Sequence, residues 1–169
     1  MLKKHSKFFE SLLLLADWFT LSLAWVSSYY LRFYSGIIPV YKGIPSFKIY
    51  LTLLVFMIPL WGLVFKVFGL YRPRRVSTRF YEILDIGKAS TFATLILISL
   101  TFLYRQYEFS RLTFFYFWLI NIVLLSLTRI LFREFLRFLR QKGYNQRYAL
   151  IIGTEKLGQG LAKQLQKHP

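Results

Sequence analysis

One acidic residue stands well inside a long apolar stretch of this sequence. Asp17 lies within SLLLLADWFTLSLAW. A carboxylate inside a membrane span is costly, so it either pairs with a cation, stays neutral, or takes part in proton or substrate coupling. Arg129 and Lys66 lie at a similar depth when turns are counted along the apolar stretches, and the fork of a guanidinium favours Arg129. We therefore predict a structural intramembrane pair, Asp17 with Arg129, and keep a coupling carboxylate as the alternative.

A second candidate is a glycine turn near the end of the sequence. The stretch RYALIIGTEKLGQGLAKQLQ predicts a buried β-strand over 148–152, a turn from Gly153 to Gly158 and the first helix of a nucleotide-fold domain. Glycines in such a turn let backbone N–H groups approach a phosphate at the start of a helix. Glu155 takes the place of the middle glycine, and its negative charge opposes a phosphate. We predict a degenerate glycine turn and no cofactor site in this chain.

Other catalytic chemistry finds no support in the residue types. The chain has no cysteine, and its seven acidic residues are scattered, with only Glu82 and Asp85 sharing a helical turn. The two histidines lie in the terminal tails. Thiol nucleophiles, catalytic triads and closely paired carboxylates are therefore excluded. We predict no catalytic residue and no metal site in this chain.

Apolar runs set the fold class. Apolar residues make up 56% of the 169, and four stretches are long enough to span a membrane: 11–33, 47–68, 86–104 and 112–131. Each covers about 30 Å as a helix. The prediction is an all-α membrane protein, a four-transmembrane-helix bundle followed by the first β-α unit of a truncated Rossmann-like domain. The domains are a basic tail (1–10), the membrane domain with its basic extension (11–142) and the start of the Rossmann-like domain (143–169).

The charge distribution predicts the partner and the orientation. The net charge is +16, and the basic residues cluster at the ends of apolar runs, which is typical of a membrane surface and not of nucleic-acid binding. Of the 23 Lys and Arg, 18 fall on the side of the two termini and five on the other. By the positive-inside rule, both termini are cytoplasmic.

Two basic segments are candidates for contact with anionic lipids. Arg133, Arg137 and Arg140 continue the helical face of Arg129, and Arg72, Arg74 and Arg75 lie in the connection after the second span. We predict that these arginines form an anionic-lipid surface. The segment from Phe80 to Lys88 is predicted to be an interfacial helix that leads into the third span. Tyrosines near the span ends, among them Tyr29, Tyr30, Tyr34, Tyr50 and Tyr71, are typical of interfacial belts.

Several segments together resemble a known family. GLYRPRR, EILDIGKA, FSRLTFFYFW, SLTRILFREFLRFLRQKGYNQRYALIIG and LGQGLA are similar to the N-terminal membrane region of bacterial polyprenyl-phosphate sugar phosphotransferases. These are large monotopic phosphoglycosyl transferases that start exopolysaccharide and O-antigen repeat units. The resemblance implies four membrane helices, a cytoplasmic Rossmann-like domain and a catalytic domain that uses an Asp-Glu pair and Mg²⁺. That domain moves a sugar phosphate from a nucleotide sugar to undecaprenyl phosphate.

The resemblance carries no catalytic residue over to this chain. The sequence has no Asp-Glu dipeptide, and Glu155 departs from the glycine common in the family. We expect a membrane-anchoring fragment in the bacterial inner membrane, inactive alone, that contacts anionic lipids, undecaprenyl phosphate and a second copy as a homodimer. Three alternatives stay open: the anchor of a nucleotide-sugar dehydratase or epimerase, a small four-helix transporter, and a module that positions a separate catalytic chain.

Overall fold

The computed structural model describes residues 2–40, 43–71, 79–103, 109–141 and Gly160. Four α-helices account for most of them: α1 (Leu2–Phe33), α2 (Phe47–Val67), α3 (Arg79–Leu103) and α4 (Arg111–Gln141). The predicted all-helical membrane architecture is confirmed, and the part of the chain that the structure describes contains no strand. The predicted strand at 148–152 and its β-α unit lie outside the described residues.

The chain divides into two compact units, Met1–Arg129 and Ile130–Pro169. The first unit holds α1, α2, α3 and the part of α4 up to residue 129. The second begins with residues 130–141 of α4. The packing described below belongs to the first unit.

The outer surface of the helices is apolar. Each helix carries a stretch long and apolar enough to cross a membrane: Ser11–Phe33, Phe47–Val67, Phe80–Leu103 and Arg111–Phe135. Large apolar side chains such as Phe19, Val55, Leu95 and Leu119 are exposed along these stretches. Helices that pack together and still present apolar side chains outward suit a hydrocarbon solvent. The fold is that of a membrane protein.

The helix boundaries differ from the predicted ones at two places. The segment predicted to be an interfacial helix and the third span form one helix, which begins at Arg79 instead of at residue 86. No proline interrupts this segment, and Gly87 alone does not stop a helix. The backbone of the predicted basic tail is also helical, because α1 begins at Leu2.

A glycine ends α2 and turns the chain toward the bundle. Gly69 has a φ of 68°, its N–H donates to the carbonyl of Lys66, and the N–H of Leu70 donates to that of Phe65. These two bonds define a Schellman motif, which needs a left-handed residue after the helix. Leu70 and Phe65 are both buried, so they supply the apolar contact that accompanies the motif. Tyr71 follows directly, and its position depends on this turn.

Consecutive helices run in opposite directions. At one end, here called the Asp17 end, Asp17 near the start of the first span meets Arg129 late in α4. At the other end, the Tyr50 end, Arg32 late in α1 donates from Nε to Ser110 Oγ at 3.3 Å, just before α4 begins. The backbones of α1 and α2 pack closely, as do those of α2 and α3.

Aromatic side chains fill the Tyr50 end. Trp25 stacks on Tyr50 with 5.6 Å between the ring centroids, and its indole N–H donates to the backbone carbonyl of Tyr50 at 2.8 Å. The Tyr50 hydroxyl accepts from the N–H of Ser110 at 3.1 Å. Tyr30 and Tyr34 are exposed, as expected of an interfacial belt, but Tyr29 and Tyr50 are buried. The rings of these two residues pack between helices.

Several hydroxyl groups in the spans bond to the backbone of their own helix. The hydroxyls of Thr52, Ser22, Thr94 and Ser99 each donate to the carbonyl four residues earlier. A polar group in hydrocarbon needs an internal partner, since water is absent. Because these bonds satisfy the hydroxyl groups, serine and threonine can occupy the spans without interrupting the helices.

Candidate functional site

Among the described residues of the first unit, the most strongly buried charges form an ion pair. Arg129 Nη2 donates to Asp17 Oδ2 at 2.7 Å, and the two side chains are 5% and 4% exposed. The structure thus brings together the two residues selected from the sequence. Lys66, the second choice, has an exposed side chain in the last turn of α2.

The contact uses one nitrogen and one oxygen. Asp17 Oδ1 and Arg129 Nε are buried without a hydrogen-bond partner among the described atoms. The two-bond fork that favoured arginine over lysine is therefore not formed in this structure. When two opposite charges are buried, their attraction offsets the cost of desolvation only if the geometry is good and further hydrogen bonds are made. The pair consequently orders the helices more than it adds to their net stability.

Tyr71 completes the cluster at the Asp17 end. The guanidinium carbon of Arg129 lies 5.6 Å from the centroid of the Tyr71 ring, a cation–π distance. The phenol also interacts with the Asp17 carboxylate. Burial raises the pKa of Tyr71 well above its ordinary value, and the negative charge of Asp17 raises it further. The phenol stays protonated and can act as a donor toward the carboxylate.

A layer of threonines joins the same two helices next to the ion pair. Thr20 Oγ1 and Thr128 Oγ1 are 3.1 Å apart, and either can donate. Each hydroxyl also lies within reach of a carbonyl of its own helix, at 2.7 Å for Thr20 and 2.9 Å for Thr128. Two protons serve three contacts, so one hydroxyl donates across while the other donates to its own backbone. This layer fixes the register of α1 against α4.

Two further polar contacts hold α3 against α4 deeper in the bundle. Asn121 Nδ2 donates to Ser90 Oγ at 3.3 Å, and both side chains are fully buried. Trp118 Nε1 donates to Thr91 Oγ1 at 3.0 Å. Neither contact was predicted from the sequence. Asn121, an amide in the otherwise apolar run LINIVLL, could have indicated a polar contact inside the bundle.

The predicted arginine surface is described only in part. In the second unit Arg137 Nη1 donates to Glu134 at 3.0 Å, and both side chains are about half exposed. Arg133 is partly buried. The side chain of Arg140, the whole of Arg72, Arg74 and Arg75, and the predicted turn from Gly153 to Gly158 lie outside the described residues. Their roles stay predictions.

The described residues offer no catalytic arrangement. They contain no group of three or more His, Asp or Glu that could hold a metal ion. Asp17 is bonded to Arg129 and covered by Tyr71, so it does not face an open site. The arrangement can lock helices together.

A four-helix membrane bundle, locked near one end by a buried ion pair, is the class of protein that the fold and this cluster define. The family model of the CoA-binding domain matches residues 66–169, more than half of the chain. The chain belongs to this family, which is found in polyprenyl-phosphate sugar transferases and proteins related to nucleotide sugars. No curated protein and no solved structure matches the chain.

The family's description raises the question of a coenzyme A site. The phosphates of a nucleotide need backbone N–H groups at a glycine turn or a cluster of cations. The glycine turn of this chain, at Gly153 and Gly158, lies outside the described residues. The described helices of the matched segment supply a mostly apolar groove with one lysine, Lys88. They do not fit coenzyme A.

Proposed function

We propose that this chain is the membrane-anchoring N-terminal part of a sugar-phosphate transferase. The complete enzyme would load undecaprenyl phosphate from a nucleotide sugar and so initiate exopolysaccharide or O-antigen synthesis. The observation that carries the proposal is the family match over 66–169, which begins at the end of α2 and covers α3, α4 and the segment after them. The motifs quoted from the sequence, from GLYRPRR to LGQGLA, all fall in this range.

The ion pair has a structural part in this proposal. Asp17 and Arg129 join the first helix to the last one, and α4 leads into the segment that precedes the predicted nucleotide-fold unit. A bundle that serves as an anchor must hold α4 at a fixed angle and depth. Buried polar pairs can specify one register among several apolar packings. We therefore assign Asp17 and Arg129 to positioning and assign no catalytic role to either.

Location and partners follow from the same proposal. The bundle lies in the bacterial inner membrane with both termini cytoplasmic, as the 18 to five split of basic residues favours. The arginines that follow the fourth span contact anionic headgroups, and the bundle forms a homodimer. Magnesium and the Asp-Glu pair belong to the catalytic domain of the proposed enzyme and not to residues 1–169.

A chimera tests the proposal. Residues 1–169 replace the corresponding segment of an established polyprenyl-phosphate sugar phosphotransferase, in a strain that lacks its own enzyme. We expect the chimera to enter the inner membrane and to restore the surface polysaccharide. A matched chimera carries four unrelated membrane helices, and it controls for simple tethering. If the chimera is inserted and stable but both chimeras leave the polysaccharide absent, the assignment to this enzyme class fails.

A second candidate comes from the breadth of the family. Proteins related to nucleotide sugars also carry this domain, so an anchor for a nucleotide-sugar dehydratase or epimerase is the alternative function. Such an enzyme uses an intact glycine fingerprint, which Glu155 interrupts here. Fusion of residues 1–142 to the soluble part of each enzyme separates the two candidates. The correct partner should gain activity in membranes, and the other should not.

A further inference from the structure

A groove of about 630 Å³ opens on the outer face of α3, toward the Asp17 end of the bundle. α3 lines it from Ile83 to Leu95, while Phe68 at the end of α2 and Ile122 of α4 complete the lining. The helix rises about 18 Å from Ile83 to Leu95. The groove is therefore long enough for a large part of an extended alkyl chain.

The hydroxyl group in the groove wall, that of Thr91, already has its hydrogen-bond partners. The Thr91 hydroxyl donates to the carbonyl of Gly87 at 2.8 Å and accepts from Trp118 Nε1 at 3.0 Å. Apart from Thr91 and Lys88, the lining side chains are apolar. A polar ligand would lose its hydration here without gaining hydrogen bonds. The wall selects an aliphatic occupant.

Gly87 is one of the residues that line the groove. A Cβ atom added at this glycine would meet no other atom within 4 Å, so the space above it is open. Gly87 lies within helix α3. A larger side chain at this position would fill the groove without striking the protein.

Lys88 provides one cation beside this apolar surface. Its side chain is exposed, and it lies about two and a half turns after the start of α3. It is eight residues after the first residue of the span Phe80–Leu103. A lysine at such a position extends its ammonium group toward the headgroup region while its stem stays on apolar surface. The ammonium and the groove together fit a molecule with an anionic head and an aliphatic tail.

We propose that this groove binds one anionic phospholipid, with an acyl chain along α3 from Gly87 to Leu95 and the phosphate paired with Lys88. The groove opens sideways on an apolar outer face, so its occupant comes from the bilayer. None of the residues that line the groove belongs to the predicted arginine surface. It does not depend on the proposed transferase function.

Native mass spectrometry of the full chain, released from detergent after titration with phosphatidylglycerol or phosphatidylcholine, tests the proposal. We expect one phosphatidylglycerol to bind ahead of the others. Lys88→Gln should weaken that first binding about fivefold, the value of one basic residue near an anionic headgroup. Gly87→Leu should abolish it. Two matched controls, Lys66→Gln at the same end and Ser99→Leu on the same helix outside the groove, should leave it unchanged.

Several results would overturn the proposal. If Lys88→Gln and Lys66→Gln weaken the binding of the first phosphatidylglycerol equally, the lipid is held only by diffuse attraction to a basic protein. Phosphatidylcholine binding as tightly as phosphatidylglycerol would remove the role of the cation. If Gly87→Leu lowers the dimer fraction and leaves the lipid count unchanged, a second copy of the chain occupies the groove instead. Should Gly87→Leu fail to fold, the two lysine variants decide.

Discussion

Replacing one member of the Asp17–Arg129 pair should destabilise the bundle more than replacing both. Asp17→Asn leaves a guanidinium that is 5% exposed without its counter-charge, and Arg129→Gln leaves a carboxylate that is 4% exposed. Removing one partner of a buried pair costs about 3–5 kcal/mol in general. We expect the lower end of that range here. Asp17 lies only about 9 Å along the helix from the start of its span, where a charge is less costly than at the bilayer centre.

The double variant should recover much of this loss, because neither charge is then left alone. The geometry sets the size of the effect: one contact at 2.7 Å, with Asp17 Oδ1 and Arg129 Nε unpartnered. We expect a coupling free energy of about 2 kcal/mol, within the range for residues in contact. The assay is equilibrium unfolding in mixed detergent and dodecyl sulfate, followed by tryptophan fluorescence, for the four proteins of the cycle.

The exposed pair Glu134 and Arg137 is the matched control. It has the same charges at 3.0 Å but is about half exposed. A cycle with Glu134→Gln and Arg137→Gln should give a coupling of at most about 0.5 kcal/mol. A coupling no larger than this for Asp17 and Arg129 would refute the structural role. It would also revive the alternative of a coupling carboxylate.

Further predictions concern Tyr71 and the orientation of the chain in the membrane. Tyr71→Leu should cost more stability than Tyr71→Phe, because only the former removes the ring that faces Arg129 at 5.6 Å; unfolding of both variants measures this. The pKa of Tyr71 is raised in the folded protein, so its contribution to stability is full below pH 10 and declines as the pH rises further. Tyr71→Phe should therefore lose less stability than the native chain between pH 9 and 11. Reporter fusions should alternate between inside and outside along the chain, and an external reporter after residue 75 would contradict the orientation. The fusion sites are Lys7, Tyr41, Arg75, Glu108 and Gln141.

The spans could be read from the sequence because hydrocarbon imposes a length and a composition. Runs of twenty or so apolar residues are rare outside membrane helices. The first residue of α3 could not be read in the same way. Residues 80–88 carry Glu82, Asp85 and Lys88, and these charges suggested a surface segment. Charged residues extend a helix as readily as apolar ones do, so composition marks the membrane boundary and not the helix boundary.

The ion pair was within reach of the sequence, whereas its surroundings were not. Counting turns from the helix ends gives depth, and depth restricts the partner of Asp17 to a few cations. The contact of Tyr71 with Arg129 depends on the Schellman turn at Gly69, and the Thr20–Thr128 contact depends on how α1 is rotated against α4. Helix rotation is fixed by packing among many apolar side chains of similar size, and the sequence pattern does not contain it. For the same reason, the contact of Ser90 with Asn121 could not be foreseen.

The central claim is that residues 1–169 anchor a sugar-phosphate transferase and do not themselves transfer. Transfer of labelled sugar phosphate from UDP-sugar to undecaprenyl phosphate measures this directly, in membranes that hold the chain alone, the chimera or the parent enzyme. The account predicts labelled lipid with the chimera and the parent and none with the chain alone, whose sequence lacks the Asp-Glu pair. Labelled lipid from the purified chain alone, or none from a stably inserted chimera, would contradict it.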